Sequence, residues 1–158
     1  MNSGGARVLL ADPDTAHREQ LYQQLAGAGF QIQLAQTGTE VVYACNVEPP
    51  DVLVLDTHLP DMDGFEVCQH VRRETRETDL AVVFITNAES ELERTCLGKM
   101  VEFAGGDYFL TKPCDARLLV QLIEDLVGRS ADRLTRERRP GPVTRVVWPT
   151  ARVPVPTA

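Results

Sequence analysis

Asp51-Val52-Leu53-Val54-Leu55-Asp56-Thr57-His58-Leu59-Pro60-Asp61-Met62-Asp63-Gly64 is the stretch on which the fold turns. Its four consecutive branched apolar residues, bounded by acids, read as a strand buried on both faces, the habit of parallel sheets. Asp56 then stands at the C-terminal end of that strand. A polar loop over 57–63 follows, and Asp63-Gly64 is a turn dipeptide opening a helix over 64–74 with Phe65, Val67, Cys68 and Val71 on one side.

The same strand-then-helix unit recurs outward in both directions. Upstream, Arg7 to Ala11 is a short apolar run that stops at Asp12-Pro13-Asp14. Asp14 or Thr15 can cap the helix that follows, in which Leu21, Tyr22 and Leu25 recur at helical spacing and Gly27 with Gly29 supplies the stop. A weaker strand is predicted over 31–35, then a turn and cap at 37–40, a short helix over 41–46 and a break at Pro49-Pro50. Downstream come a strand over 80–85 ending at Thr86, a helix over 90–103, a strand over 107–111 ending at Lys112-Pro113, and an amphipathic helix over 116–127 carrying Leu118, Leu119, Leu122, Ile123 and Leu126. Five alternations of strand and helix imply parallel pairing through right-handed crossovers, with helices on both faces of one sheet. The fold class is therefore α/β, a doubly wound five-stranded parallel sheet.

Composition bounds what such a chain can do. At 158 residues, 43% apolar and 25% charged, it affords one ordinary domain plus a tail. No apolar run approaches the roughly 18 to 20 residues that cross a bilayer, and the N-terminus lacks a basic segment followed by an apolar one, so a cytoplasmic location without membrane contact is expected. Cys45, Cys68, Cys96 and Cys114 form no CxxC and are expected to be reduced and structural. The three histidines, His17, His58 and His70, do not stand at zinc-ligand spacing. Charge is divided unevenly: residues 1–128 hold 9 Lys and Arg against 21 Asp and Glu, a net −12, whereas 129–158 hold 7 Arg against two acids, a net +5. An acidic body is a poor partner for duplex nucleic acid, whose affinity comes from cations displacing condensed counterions.

In a doubly wound sheet all strand C-termini share one edge, and ligands gather outside it where strand order reverses. Asp12, Asp14, Asp56, Thr86 and Lys112 each stand at or just past a predicted strand end. Clustered carboxylates repel unless a hard divalent cation sits among them, and oxygen ligands suit magnesium. A carboxylate flanked by metal, ammonium and hydroxyl can attack phosphorus and become an acyl phosphate, which makes Asp56 the candidate nucleophile.

These residues resemble the receiver domain of two-component response regulators over about residues 6–127. Asp56 followed by Pro60 and Gly64 is similar to that family's phosphoacceptor loop, Ile85-Thr86-Asn87-Ala88 to the strand ending in its switch threonine, and Gly105 to Pro113 to the segment carrying its Lys-Pro pair. The resemblance implies a flavodoxin-like strand order 2-1-3-4-5, a receiver domain over 6–128, and phosphoryl transfer to Asp56 from a sensor histidine kinase or phosphotransfer protein. It further implies Thr86 and Lys112 contacting the phosphoryl group, magnesium held by Asp12, Asp56 and the His58 carbonyl, Phe109 as the aromatic that turns inward when Thr86 moves, and a Lys112–Pro113 peptide that is often cis. Output would pass to a downstream protein through the face from the fourth helix to the fifth, or through the tail.

Three positions depart from the family pattern. Pro13 replaces the second acid after the first strand, which weakens the expected magnesium site. Asn87 follows the switch threonine where a small residue is usual, and its amide can crowd the phosphoryl oxygens. Thr86 and Lys112 lie 26 positions apart, about four more than the family's habit, or one helical turn.

Several residues carry plainer readings. Asp14 is read chiefly as a helix cap, Asp61 and Asp63 as turn chemistry, His17 and His70 as inert helix-surface residues, and Tyr108 as exposed or at an edge. His58 either borders the site or is a solvated loop residue. The tail over 129–158, with five prolines and seven arginines, is expected to be extended and mobile, with Arg133 to Arg139 prolonging the last helix and the segment around Trp148 able to dock on a partner or on the acidic body. A tail of that size cannot form an output domain, so a stand-alone switch is expected, and not an enzyme beyond its own phosphorylation and dephosphorylation. Two alternatives stay open: a phosphorylation-independent scaffold of the same fold, and an aspartyl phosphatase, which needs an acid two residues after Asp56.

Overall fold

A computed structural model of the protein describes residues 5–74 and 80–135, the last seven as backbone only. Five strands, β1 (Arg7–Ala11), β2 (Gln31–Ala35), β3 (Val52–Asp56), β4 (Ala81–Thr86) and β5 (Tyr108–Thr111), alternate with helices α1 (Thr15–Gly27), α2 (Gly38–Val47), α3 (Gly64–Glu74), α4 (Glu91–Ala104) and α5 (Ala116–Thr135). All pairings are parallel and the order across the sheet is β2-β1-β3-β4-β5. The predicted fold class and strand order are those of the structure. Element bounds shift by a residue or two except at α2, which starts at Gly38 behind the Thr37 cap, and at α5, which continues past Gly128 to Thr135. The remainder of the predicted tail, including Trp148, lies outside the described residues.

Alternation along the strands sorts the apolar residues into two layers. Leu9, Leu53, Leu55, Val82, Phe84 and Phe109 pack under α2, α3 and α4. Val8, Leu10, Val54, Val83, Ile85 and Leu110 pack under α1 and α5. Every residue of β3 and β4 is buried, as strands central to a doubly covered sheet must be, whereas β2 exposes most of its length as an edge. Each fully buried Leu, Ile, Val or Phe contributes about 1.5–3 kcal/mol of transfer free energy, so this layering is the main stabilising term and the strand ends are fixed by it.

Two glycines permit close approaches. A Cβ on Gly64 would lie 2.3 Å from the Asp56 carbonyl oxygen, and one on Gly106 would lie 2.5 Å from the Phe84 ring. Gly64 also donates its N–H to the Thr57 carbonyl at 2.9 Å. The loop after β3 is thus cinched back on the strand end that carries Asp56.

Two expectations are corrected by the packing. Tyr108, predicted to be exposed or at an edge, does lie on the edge strand β5 but is buried, because it faces the α1/α5 layer. Cys96, expected to be reduced and structural, is a free thiol exposed on α4, while Cys45, Cys68 and Cys114 are buried free thiols. Burial pushes those three thiols up to about 11, 11 and 12, which removes thiolate reactivity near neutral pH.

Candidate functional site

Asp12 lies one residue past β1, Asp56 and Thr86 end β3 and β4, and Lys112 lies one residue past β5. The strand order sets β1 beside β3 and β3 beside β4, so the four meet at one edge although 100 residues separate the first from the last. The Lys112 Nζ lies 2.5 Å from Asp56 Oδ2 and 3.2 Å from Asp12 Oδ1. The other Asp56 oxygen accepts the His58 N–H at 2.8 Å, which fixes the carboxylate at both ends. Asp12 and Asp56 are buried, and only paired or hydrogen-bonded carboxylates persist there.

Burial alone would raise the Asp12 carboxyl, yet hydrogen bonds from His17 and the Asp14 N–H, with Lys112 beside it, hold it below its usual range. Lys112 loses some of its basicity to burial and regains more from Asp56 and Asp12, so its ammonium is reinforced. The Lys112–Pro113 peptide is cis.

His17 was expected to be inert and solvent-facing. Instead its Nδ1 lies 2.5 Å from Asp12 Oδ2, and its side chain is only 12% exposed. Asp14 caps α1 by accepting the His17 N–H, and this first turn folds the imidazole back over the strand end. Arg18, one position further, is buried and donates Nη1–H to the Asp12 carbonyl at 2.7 Å. The signal available for both was their distance from Asp12, five and six residues across a capped first turn. His70 stays at the α3 surface, 4.0 Å from Glu74.

Thr86 is buried, and its hydroxyl lies 2.8 Å from the Thr57 hydroxyl and 3.3 Å from the Asn87 carbonyl. Thr57, a residue given no role by the sequence reading, is also buried. Asn87 is exposed, and its contact with Thr86 runs through its backbone carbonyl, not its amide. Phe109 is buried in the α2–α4 layer, paired in register with Phe84. Asp61 is not a site residue: it accepts from Gly38 N, Thr39 N and Thr39 Oγ1 at the start of α2. Asp63 accepts from Phe65 N in the same way at the start of α3.

For a magnesium ion the chemistry of the donors fits. Asp12, Asp56 and the His58 carbonyl are hard oxygens, and magnesium takes one or two carboxylates while keeping several waters. Among the described residues no three His, Cys, Asp or Glu side chains gather as a metal cage, and Pro13, which has no carboxylate, is exposed. An ion here would be held largely through water.

Comparison with known proteins agrees with this geometry. The model of the response regulator receiver domain matches residues 8–124. The transcriptional regulatory protein GltR of Pseudomonas aeruginosa is 32% identical over 130 residues, covering 82% of this chain and 52% of that protein. The response regulator MprA of Mycobacterium leprae is 35% identical over 124 residues, covering 78% and 52%. The chain thus spans about half the length of the curated relatives it matches. The solved receiver domain of Francisella response regulator 1452 superposes with a TM-score of 0.70 at 25% identity, covering 80% of this chain and 99% of that one. Matched along most of its folded length, and with its strand-end Asp, Thr and Lys gathered at one sheet edge, this chain belongs to the response regulator receiver domain family of two-component signalling.

Proposed function

We propose that the protein is a phosphorylation-dependent switch in which Asp56 accepts a phosphoryl group from a phosphohistidine of a sensor kinase or phosphotransfer protein. The observation that carries this reading is the Lys112 ammonium bridging Asp56 at 2.5 Å and Asp12 at 3.2 Å. It aims fixed positive charge at the place where the incoming phosphoryl oxygens gather charge. An Asp56 carboxylate oxygen attacks phosphorus in line, the O–P bond forms as the P–N bond breaks, and the electron pair leaves on the donor imidazole. Magnesium, held by Asp12, Asp56 and the His58 carbonyl, would neutralise those same oxygens. Thr86 then donates its hydroxyl to the acyl phosphate, Phe109 follows it, and the α4 surface changes. Covalent charge biases a pre-existing pair of conformations by its differential stabilisation of the two.

On α4, Leu92, Met100 and Phe103 are 74%, 48% and 84% exposed, so a downstream protein that covers this helix finds apolar area to bury. The helix is held intact by a capping box at Ser90 and by Gly105 in the left-handed region at φ 90°. The segment between Thr86 and Lys112 thus holds a continuous helix of 14 residues. An aspartyl phosphatase is disfavoured, because position 58 holds His58, whose Nδ1 is engaged with Thr57 Oγ1 at 3.0 Å.

One observation favours a second reading, a scaffold that needs no phosphorylation: His17 already occupies Asp12 Oδ2, and Pro13 offers no acid in compensation. Incubation with acetyl phosphate, with and without magnesium, separates the two. The switch reading expects a mass increase of about 80 Da, the mass of one phosphoryl group, which is absent in Asp56→Ala. An unchanged mass under both conditions supports the scaffold.

A further inference from the structure

Thr57 continues the alternation of Leu53 and Leu55 and so faces the same layer as Phe84 and Thr86. Packing there asks for a β-branched side chain of its size, and valine supplies that without a hydroxyl. The Thr57 hydroxyl is nevertheless fully engaged, 2.8 Å from Thr86 Oγ1 and 3.0 Å from His58 Nδ1. Its backbone is fixed as well, the N–H donating to the Ile85 carbonyl and the carbonyl accepting from Gly64 N. A hydroxyl has one proton. Thr86 Oγ1 is held in turn between Thr57 Oγ1 at 2.8 Å and the Asn87 carbonyl at 3.3 Å, and its one proton goes to one of these two. The result is a chain of contacts, His58–Thr57–Thr86–Asn87, that engages the Thr86 hydroxyl away from Asp56.

We propose that Thr57 is a positioning residue, a latch that holds the hydroxyl of Thr86 away from the phosphoryl site in the unphosphorylated protein. The inference rests on the reading of Asp56 as acceptor and Thr86 as switch. It adds a residue to that switch, one whose identity sets the resting balance between the two states. For Thr86 to donate to an acyl phosphate, its side chain must turn out of the Thr57 and Asn87 contacts. Loss of the latch therefore raises the population of the released conformer, and the ease of phosphorylation rises with that fraction.

The test uses the full chain with Thr57→Val, which keeps the shape and removes the hydroxyl, and Thr57→Ser, which keeps the hydroxyl. In the unphosphorylated proteins, three-bond couplings to the Thr86 γ-methyl report its χ1. A single rotamer is expected in the wild type and in Thr57→Ser, and an averaged one in Thr57→Val. With acetyl phosphate, Thr57→Val should become phosphorylated about three- to tenfold faster than the wild type, the worth of one net hydrogen bond, and Thr57→Ser at the wild-type rate. A single Thr86 rotamer in Thr57→Val, or equal rate changes in the two variants, overturns the latch. The rotamer measurement needs no phosphodonor, so a wild-type protein that takes no phosphoryl group overturns the switch reading while the couplings still decide the latch.

Discussion

Gly64 illustrates how a residue without chemistry controls one that has it. Its missing Cβ lets the helix start sit against the Asp56 carbonyl, where an added methyl would meet backbone at 2.3 Å. Neither side can yield as a flexible side chain does. Gly64→Ala is expected to cost about 1–3 kcal/mol by overpacking, read from urea unfolding, and to lower phosphorylation of Asp56 by displacing its strand end. Lys112 acts by charge. Lys112→Met strands the buried Asp12 and Asp56 carboxyl groups without their shared partner, and should destabilise the protein at pH 7 by about 1–3 kcal/mol, the cost of stranded buried polar groups. The sign of the pH effect follows from Asp12, whose carboxyl is held below its usual value. The stability it contributes is present above that usual value, near 3.9, and is lost as pH falls through the lowered one. The gap between Lys112→Met and wild type should therefore narrow as Asp12 protonates below about pH 4. A gap that widens in acid would contradict the assignment. At this scale Asp12, Asp56, Thr86 and Lys112 were legible, because strand-end acids and a lysine before proline stand out in sequence. His17, Arg18 and Thr57 were not. Their partners are set by the rotation of the first turn of α1 and by the face of a strand end, which periodicity alone does not fix.

Helix α2 depends on a carboxylate from a distant loop. Asp61 accepts two backbone N–H groups and the Thr39 hydroxyl at the start of α2, where a negative charge also meets the positive end of the helix dipole. The Thr39 hydroxyl, followed by the Gly38 and Thr39 N–H groups, draws its carboxyl down to about 2. Asp61 is exposed, so solvent screens much of that effect, and the expected loss in Asp61→Asn is that of an ordinary cap, about 1 kcal/mol. Because the folded value is depressed, this stability is present above the usual carboxylate pKa and fades as pH falls from about 4 toward 2. Thermal melts of both proteins should converge over that interval, and a constant difference would show that the charge plays no part. Turn chemistry at Asp61 was legible from the loop composition, but the helix that it caps was not, since the partners are 22 and 23 residues away. The same limit explains the helix predicted too short over 41–46: Gly38 and Thr39 read as turn residues until a side chain from the β3–α3 loop satisfies their N–H groups.

Across the whole molecule, topology does what local chemistry cannot. Five short strands, two of them wholly buried, bring an acid from the first unit, an acid from the third, a hydroxyl from the fourth and an ammonium from the fifth to one edge. The alternation of strands with helices was enough to predict helices on both faces of the sheet, and the order 2-1-3-4-5 came from the family resemblance, since alternation alone does not choose which strand lies at the centre. The described residues contain no helix long and apolar enough to cross a membrane. The site's chemistry thus hangs on the placement of one carboxylate, and the residue that carries the phosphoryl group can be read directly. After incubation with acetyl phosphate and magnesium, borohydride reduction converts an acyl phosphate to an alcohol, and peptide mass spectrometry locates the converted residue. The expected result is homoserine at position 56 in wild-type protein and at no position in Asp56→Ala; conversion at another acid, or none in the wild type, would contradict the account.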